Sequence, residues 1–382
     1  MKPLSSIDLF YLMQDLKILE EERVDNFYYE NETFYMRVYK KGGGRIFLTT
    51  ILGTCIYIGT EKEESSYPDS FIMHLRKFLT GGFIKKIEQI ESERIIKIKI
   101  DKKNNQTQEI ESFFLFIDMF SPGNVILTDS NLNIKHALQR KKFKDRKILV
   151  GESYELPPSK QITFENLHSF EKFSEIFSES ERIVVKELAI SLGMGGKYSE
   201  EIIARTSIEK NKPSRELSKE EIEKIYQEIL SLKNKEIDAF NSIDNNKVYT
   251  NFFPYKFESS KEDLIHVKSF NEAIKNYYLQ FKKEEDKKEK ELNKQLDKLK
   301  NRLEKQKKQK DEIFKEYEKL NSIGEKIYQN YSLVDDLLKN IEKASKEKGW
   351  EYVKEKIKND ERLSKVIKKI DEKNNKIILD LD

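Results

Sequence analysis

Residues 188–201 read LAISLGMGGKYSEE, an apolar helical run that breaks at Gly193-Met194-Gly195-Gly196 and resumes with Lys197 and Tyr198. Upstream, 180–192 is amphipathic with the helical period. Downstream, 199–206 and 218–232 read as two more helices. The last opens with Ser218 and has Glu221 three residues on, a capping-box pattern. Helix, glycine turn, helix is the plan of a helix-hairpin-helix. Its glycines let a backbone approach a phosphate, and the following helix N-terminus supplies N–H groups and a favourable dipole. Gly193, Gly195, Gly196 and Lys197 are therefore candidate RNA-contacting residues, although a plain glycine-rich turn fits the same pattern.

On the N-terminal side, Leu9, Leu12, Met13, Leu16 and Leu19 recur at helical spacing. Ser5 or Ser6 is the candidate N-cap, and Asp8 falls in the first turn, where the dipole favours an acid. Short β-branched and aromatic runs follow at 24–29, 33–38, 45–50 and 55–58, then a helix at 70–79 ended by Gly81-Gly82. Further strands are expected at 84–90, 95–100, 109–118 and 124–129, with a polar hairpin tip at 104–108. Pro157-Pro158 closes this α+β part.

On the C-terminal side, aromatic clusters at 240–268 predict a small hairpin packed on an earlier unit. Beyond them Leu292, Leu296, Leu299, Leu303, Ile313, Tyr317, Leu320 and Ile327 follow steps of four and three, a heptad seam. Gln306 and Lys310 weaken the seam, and Gly324 is expected to interrupt it. A smaller helical module starts near Trp350, and KIILDLD at 376–382 reads as a strand just beginning, which suggests a longer natural protein. The expected fold class is α+β: a mixed α/β domain (1–175), an all-α helix-hairpin-helix domain (176–235), a connecting hairpin (236–275), a coiled-coil arm (276–341) and the start of a middle module (342–382).

Composition narrows the chemistry. The chain carries 71 basic and 68 acidic side chains, a net charge of +3, so a nucleic-acid surface must come from local segregation of charge. One such stretch is Arg140, Lys141, Lys142, Lys144, Arg146 and Lys147, with Phe143 placed to stack on a base; a solvated basic loop reads the same way. Arg76 and Lys77 precede the Gly-Gly turn, and Arg suits bidentate phosphate recognition. With one cysteine, Cys55, and four histidines, thiolate zinc sites and disulfide staples are excluded. No HExxH, P-loop or Ser-His-Asp pattern occurs, and no catalytic residue, cofactor or metal is expected. No run nears the ~20 apolar residues of a membrane span, and a cytoplasmic location is expected.

The order of units and several stretches resemble the NFACT family: Ser6-Ile7-Asp8-Leu9, the helix from Phe71 to Leu79, Glu91-Ser92-Glu93-Arg94, Gly123 to Asp129, and Leu192 to Tyr198, the last most like archaeal members. The likeness runs over essentially the whole chain. The resemblance implies a ribosome quality-control factor rather than an enzyme. Such factors recognise large subunits that still carry peptidyl-tRNA, hold tRNA, and support rescue and template-free tailing of nascent chains. The family's functional early Asp and its Asp-Arg pair correspond to Asp8 and to Glu93-Arg94, where Glu replaces Asp and lengthens the arm by one methylene. The resemblance also implies a returning coiled-coil arm and a further domain beyond residue 382. A surface ion pair would equally explain Glu93-Arg94.

Three other readings are weaker. A formamidopyrimidine-DNA glycosylase shares the domain order, but needs an N-terminal proline amine and a zinc finger; here proline stands at position 3. An adhesin needs a secretion signal, and MKPLSSIDLFYLMQDL is no such segment. A coiled-coil scaffold predicts self-association through 292–341 without RNA binding.

Overall fold

The computed structural model describes residues 1–381 except 63–67, 144–145, 158–161, 168 and 179; for 282–290 and 293 it describes the backbone alone. It divides into two compact units, Met1–Asp286 and Lys287–Asp382.

The first unit opens with α1 (Ser6–Leu16), capped by Ser5. A meander of β1 (Arg23–Glu30), β2 (Thr33–Lys40), β3 (Gly44–Ile51) and β4 (Cys55–Gly59) leads into α2 (Ser70–Leu79). A second meander contains β5 (Phe83–Gln89), β6 (Ile95–Lys103), β7 (Ile110–Asp118), β8 (Asn124–Asp129) and β9 (Ile134–Ala137). All nine strands form one sheet, order β4-β3-β2-β1-β5-β6-β7-β8-β9. β1 and β5 share a single register pair, Arg23 with Phe83, so that junction is where the two meanders join.

Alternation decides the faces. In β6, Ile96, Ile98 and Ile100 point to the main core, while Lys97 and Lys99 stay partly exposed on the other face. Each buried isoleucine is worth about 1.5–3 kcal/mol relative to exposure. Ile95, Phe116 and Ile126 face the opposite way and are covered by Ile148 and Tyr154 from the segment that follows β9. That segment contains a two-residue ladder not expected from the sequence, β10 (Lys141–Lys142) with β11 (Lys147–Ile148). The turns after β3 and after β7 meet face to face. Gly123, at φ +86°, would place a Cβ 2.3 Å from the Gly53 amide nitrogen, so the sheet curls until turns from its two halves touch.

Helices α3 (Phe170–Ser178), α4 (Val184–Ser191), α5 (Gly195–Thr206) and α6 (Lys219–Lys233) follow, then a small sheet of β12 (Phe240–Ile243), β13 (Tyr249–Phe253) and β14 (Asp263–His266). α6 carries the anticipated capping box at Ser218 and Glu221. α4 starts at Val184 rather than 180, because Ser180 and Arg182 instead bond the Glu187 carboxylate from the preceding turn. Phe173, Leu188, Tyr198, Ile225 and Phe252 share the core of Leu9 and Ile98. The segments set apart by the sequence reading at 1–175, 176–235 and 236–275 thus pack round one apolar centre.

α7 (Phe270–Gln329) begins in that centre, with Phe270, Ala273, Ile274, Tyr277 and Tyr278 buried. The Asn271 side chain accepts from Ile58 N–H at 2.6 Å and donates to Ile58 C=O at 3.1 Å, which pairs the exposed edge of β4. From Leu292 onward the seam is exposed, Leu299 at 65% and Ile313 at 66%. Gly324, the weak point of the seam, does not break the helix. α7 runs through it to Gln329, since one exposed glycine costs a helix only about 1 kcal/mol. In the second unit, α8 (Tyr331–Asn359) bends at Gly349, φ +79°. α9 (Glu361–Val366) follows, and β15 (Ile367–Asp371) pairs with β16 (Lys376–Leu379). Leu337, Ile341, Val353 and Ile367 make a small separate core.

The two glycines predict opposite outcomes. Gly123→Ala meets backbone at 2.3 Å and an unfavourable φ, and should lose at least about 2 kcal/mol in urea unfolding. Gly324→Ala meets nothing within 4 Å and should raise helicity by circular dichroism, stabilising the helix by up to about 1 kcal/mol.

Candidate functional site

Three clefts adjoin where α1, the β5–β6 turn, the β7–β8 turn and the α4–α5 turn come together. The largest, about 640 Å³, is lined by Ser5, Asp8, Gly195, Gly196, Lys197 and Phe252 among others. A second, about 480 Å³, shares Pro3, Ser5 and Gly195 with it and adds Ser92, Glu93, Arg94, Phe120 and Gly193. A third, about 260 Å³, shares Phe120 and adds Lys141, Phe143 and Arg146.

Asp8 is the hub. Its side chain is 3% exposed. Oδ2 accepts from the Ser5 N–H at 2.8 Å and the Ser5 hydroxyl at 2.7 Å, which closes the capping box of α1. Oδ1 accepts from Lys197 Nζ at 2.5 Å and the Tyr198 hydroxyl at 2.8 Å, both on the first turns of α5. Lys197 also donates to the Phe252 carbonyl at 3.2 Å, and its Nζ lies 4.3 Å from the Phe252 ring centroid. Burial pushes the Lys197 ammonium below its ordinary value, opposed by Asp8. A fifth of the side chain remains exposed at the cleft. Gly193 and Gly195 adopt positive φ, +68° and +71°, so the α4–α5 turn can lie against α1, where the Ser6 hydroxyl donates to the Gly193 carbonyl at 3.3 Å.

Glu93 and Arg94 leave the β5–β6 turn, whose Glu91 and Ser92 take φ of +47° and +56°. Ser92 Oγ bonds Thr163 Oγ1 at 3.0 Å and donates to Glu165 at 2.8 Å, and Gln89 Nε2 donates to the carbonyls of both Glu93 and Ser6 at 2.9 Å. The turn is thereby tied to α1. The Arg94 guanidinium lies 5.1 Å from the Phe120 ring centroid. Among the described residues no carboxylate comes within ion-pair distance of it. Burial pushes it below its ordinary value, with Glu93 acting the other way.

The structure therefore brings together Asp8, Glu93, Arg94, Gly193, Gly195, Gly196 and Lys197. Of the basic stretch, Lys141 lines the third cleft, while Arg140, Lys142 and Lys147 are exposed; Lys144 lies outside the described residues. Arg146 is committed elsewhere: it pairs with Asp118 at 3.0 Å, 10% exposed, so its guanidinium is not an open phosphate contact. Arg76 donates twice to the Phe27 carbonyl, at 3.2 and 2.8 Å, and Lys77 is exposed on α2; neither lines these clefts. The sequence reading missed Ser92, Phe120, Asp118 and Tyr198 as parts of the site, since only contacts across 71 or more positions give Ser92 and Tyr198 their role. Among the described residues no group of three His, Cys, Asp or Glu is placed to hold a metal, and no helix is long and apolar enough to cross a membrane.

The family model for the NFACT N-terminal and middle domains matches residues 5–376. The chain belongs to the NFACT family. Among curated proteins this NFACT chain is 28% identical over 374 residues to the archaeal Rqc2 homolog aRqcH of Methanocaldococcus jannaschii, covering 92% of the chain and 54% of that protein. It is 28% identical over 213 residues to Rqc2 homolog RqcH of Streptococcus pneumoniae (52% and 38% covered). It is 29% identical over 168 residues to ribosome quality control complex subunit 2 of Saccharomyces cerevisiae (43% and 15%). The chain spans about half or less of these relatives' length. The solved N-terminal part of the fibronectin/fibrinogen-binding protein of Streptococcus suis has the same fold, TM-score 0.59 at 19% identity, covering 72% of this chain and 99% of that one.

Asp8→Asn keeps the cap geometry but leaves Lys197 without its counter-charge. It should lose about 3 kcal/mol in urea unfolding, the low end for stripping one partner from a buried pair. The Lys197 ammonium should then titrate still lower, read by NMR of ¹³C-methylated lysine, because Asp8 is the influence that opposes burial. An unfolded lysine keeps its proton to about 10.4. Stability from this group therefore grows as pH rises from the lowered value towards that limit, over a wider window in the variant.

Proposed function

We propose that this chain is the N-terminal and middle part of a cytoplasmic ribosome quality-control factor, not an enzyme. In this reading it binds large ribosomal subunits carrying peptidyl-tRNA, and tRNA, in support of rescue and C-terminal tailing. Its contact with RNA is the cleft that holds Arg94. The observation that carries this reading is Arg94 itself: a partly buried guanidinium set over Phe120 with no carboxylate in ion-pair range, in a cleft tied to α1 and the α4–α5 turn. A structural arginine half removed from water ordinarily makes an ion pair; Arg94 has Glu93 near enough to act on its titration but outside ion-pair range, which suits it to an external anion, and its planar fork matches phosphate. The relatives named for ribosome quality control support the same reading. Asp8 acts here as a positioning residue, holding α5 against α1 through Lys197 and Tyr198.

The exposed seam on α7 favours a second reading, a scaffold that self-associates through 292–341 without RNA affinity. Binding of the chain to tRNA and to purified large subunits across a salt series separates the two. RNA binding should weaken with salt, by about 0.7 log unit per log unit of salt for each single-strand phosphate contact, and Arg94→Ala should weaken it about tenfold or more, the scale of one charge-assisted bond. Dimerisation through the seam with no RNA or subunit binding would sink the reading.

A further inference from the structure

The third cleft holds an arrangement that the Arg94 reading does not use. Its volume of about 260 Å³ falls below the ~300 Å³ at which drug-sized pockets begin, which suits one planar ring system. Two buried charges stand in its wall. The Asp118 side chain is 4% exposed and Arg146 10%, paired at 3.0 Å. The Tyr154 hydroxyl donates to the other Asp118 oxygen at 2.8 Å. Burial pushes the Asp118 carboxyl up, opposed by its bonds to Tyr154 and Arg146. Each carboxylate oxygen keeps capacity for a second donor, and the second Arg146 amino group reaches only the Glu155 carbonyl, at 3.4 Å. The wall thus offers a ligand acceptors and donors side by side. Phe143, 49% exposed, puts an aromatic ring beside them, with the Arg146 guanidinium carbon over it at 5.4 Å from the ring centroid.

The rim adds a second, independent observation. Lys142 and Lys147 are register partners across β10–β11, both exposed. Like charges directly opposite destabilise a strand pair, and a bound anion removes that repulsion. The ligand must therefore be planar and aromatic, carry donors and acceptors on its edge, and bring negative charge outside the pocket.

From these features we infer that the pocket takes one unstacked nucleobase from a single-stranded stretch of RNA. Phe143 stacks on the base, Asp118 and Arg146 meet its edge, and the flanking phosphates lie along Lys141, Lys142 and Lys147. The inference rests on the RNA reading proposed above and narrows it to single strands. Phe120, shared with the Arg94 cleft, makes the two contacts neighbours on one strand.

The test uses the whole chain and an RNA of about ten nucleotides, within the span of single-strand grooves, carrying one 2-aminopurine. The wild type should change the fluorescence of that base on binding and prefer the single strand over the same sequence in a duplex. Phe143→Ala, at an exposed position, should lose the fluorescence change and weaken binding roughly 5- to 150-fold, the range of base–aromatic stacking, with the salt slope unchanged. Phe143→Trp should restore both. Lys142→Gln with Lys147→Gln should instead reduce the salt slope, by about 0.7 for each phosphate that is no longer neutralised. If Phe143→Ala binds as the wild type does, or duplex binds as well as single strand, the pocket inference falls while the Arg94 reading stands. If the wild type binds no RNA at low salt, both fall.

Discussion

One carboxylate joins the two halves of the candidate cleft. Asp8 Oδ2 caps the first turn of α1 through Ser5, and Oδ1 receives Lys197 and Tyr198 from the first turns of α5. A buried carboxylate is tolerated when every lone pair meets a donor, and here four donors from two distant segments do so. Remove that constraint and the approach of α5 to α1 rests on apolar packing, which is not directional, and on the single Ser6–Gly193 bond of the preceding turn. The hydrogen bonds set the angle, and the core supplies most of the free energy.

The remaining polar contacts at the cleft repeat this division of labour. Gln89 ties the Glu93 turn to α1, and Ser92 ties it to the 163–165 segment. Glu201, fully buried on α5, accepts from Arg205 and from the backbone N–H groups of Glu258 and Ser259, which holds the loop after β13 in place. Each element arrives by burying an apolar face, and one or two charged or amide groups then fix its register. Arg94 is the exception, since its guanidinium has a ring beneath it and no acid within ion-pair range among the described residues. That asymmetry is what the proposed RNA contact rests on.

The basic stretch shows why charge in a sequence is weaker guidance than geometry. Its six cations look equivalent in the chain, yet the fold gives the described ones different tasks. Arg146 turns inward to Asp118 beneath Tyr154, Lys141 lines a cleft, and Lys142 and Lys147 oppose each other at the surface. The heptad seam carries a comparable lesson. Its spacing announces a helix, and α7 carries it through Gly324 to Gln329, but spacing alone cannot say what covers a stripe that the described residues leave exposed.

The sequence by itself determined the elements whose information is local. Strand alternation in β6 and β7, the caps at Ser5 and Ser218, and the glycine stop after α2 all lie where short-range rules put them, because period, cap and turn depend on neighbours a few residues away. The ladder β10–β11 was illegible, two residues to a strand and mostly lysine, whereas Phe170, Phe173 and Phe177 of α3 do recur at helical steps of three and four. Tertiary structure alone decided that segments read as separate domains share one core, and that Asp8, Arg94 and Gly195 meet at adjoining clefts. Contacts spanning some 190 residues, such as Tyr198 to Asp8, leave no local pattern. They arise only when the chain has buried its apolar faces and its remaining polar groups must find partners.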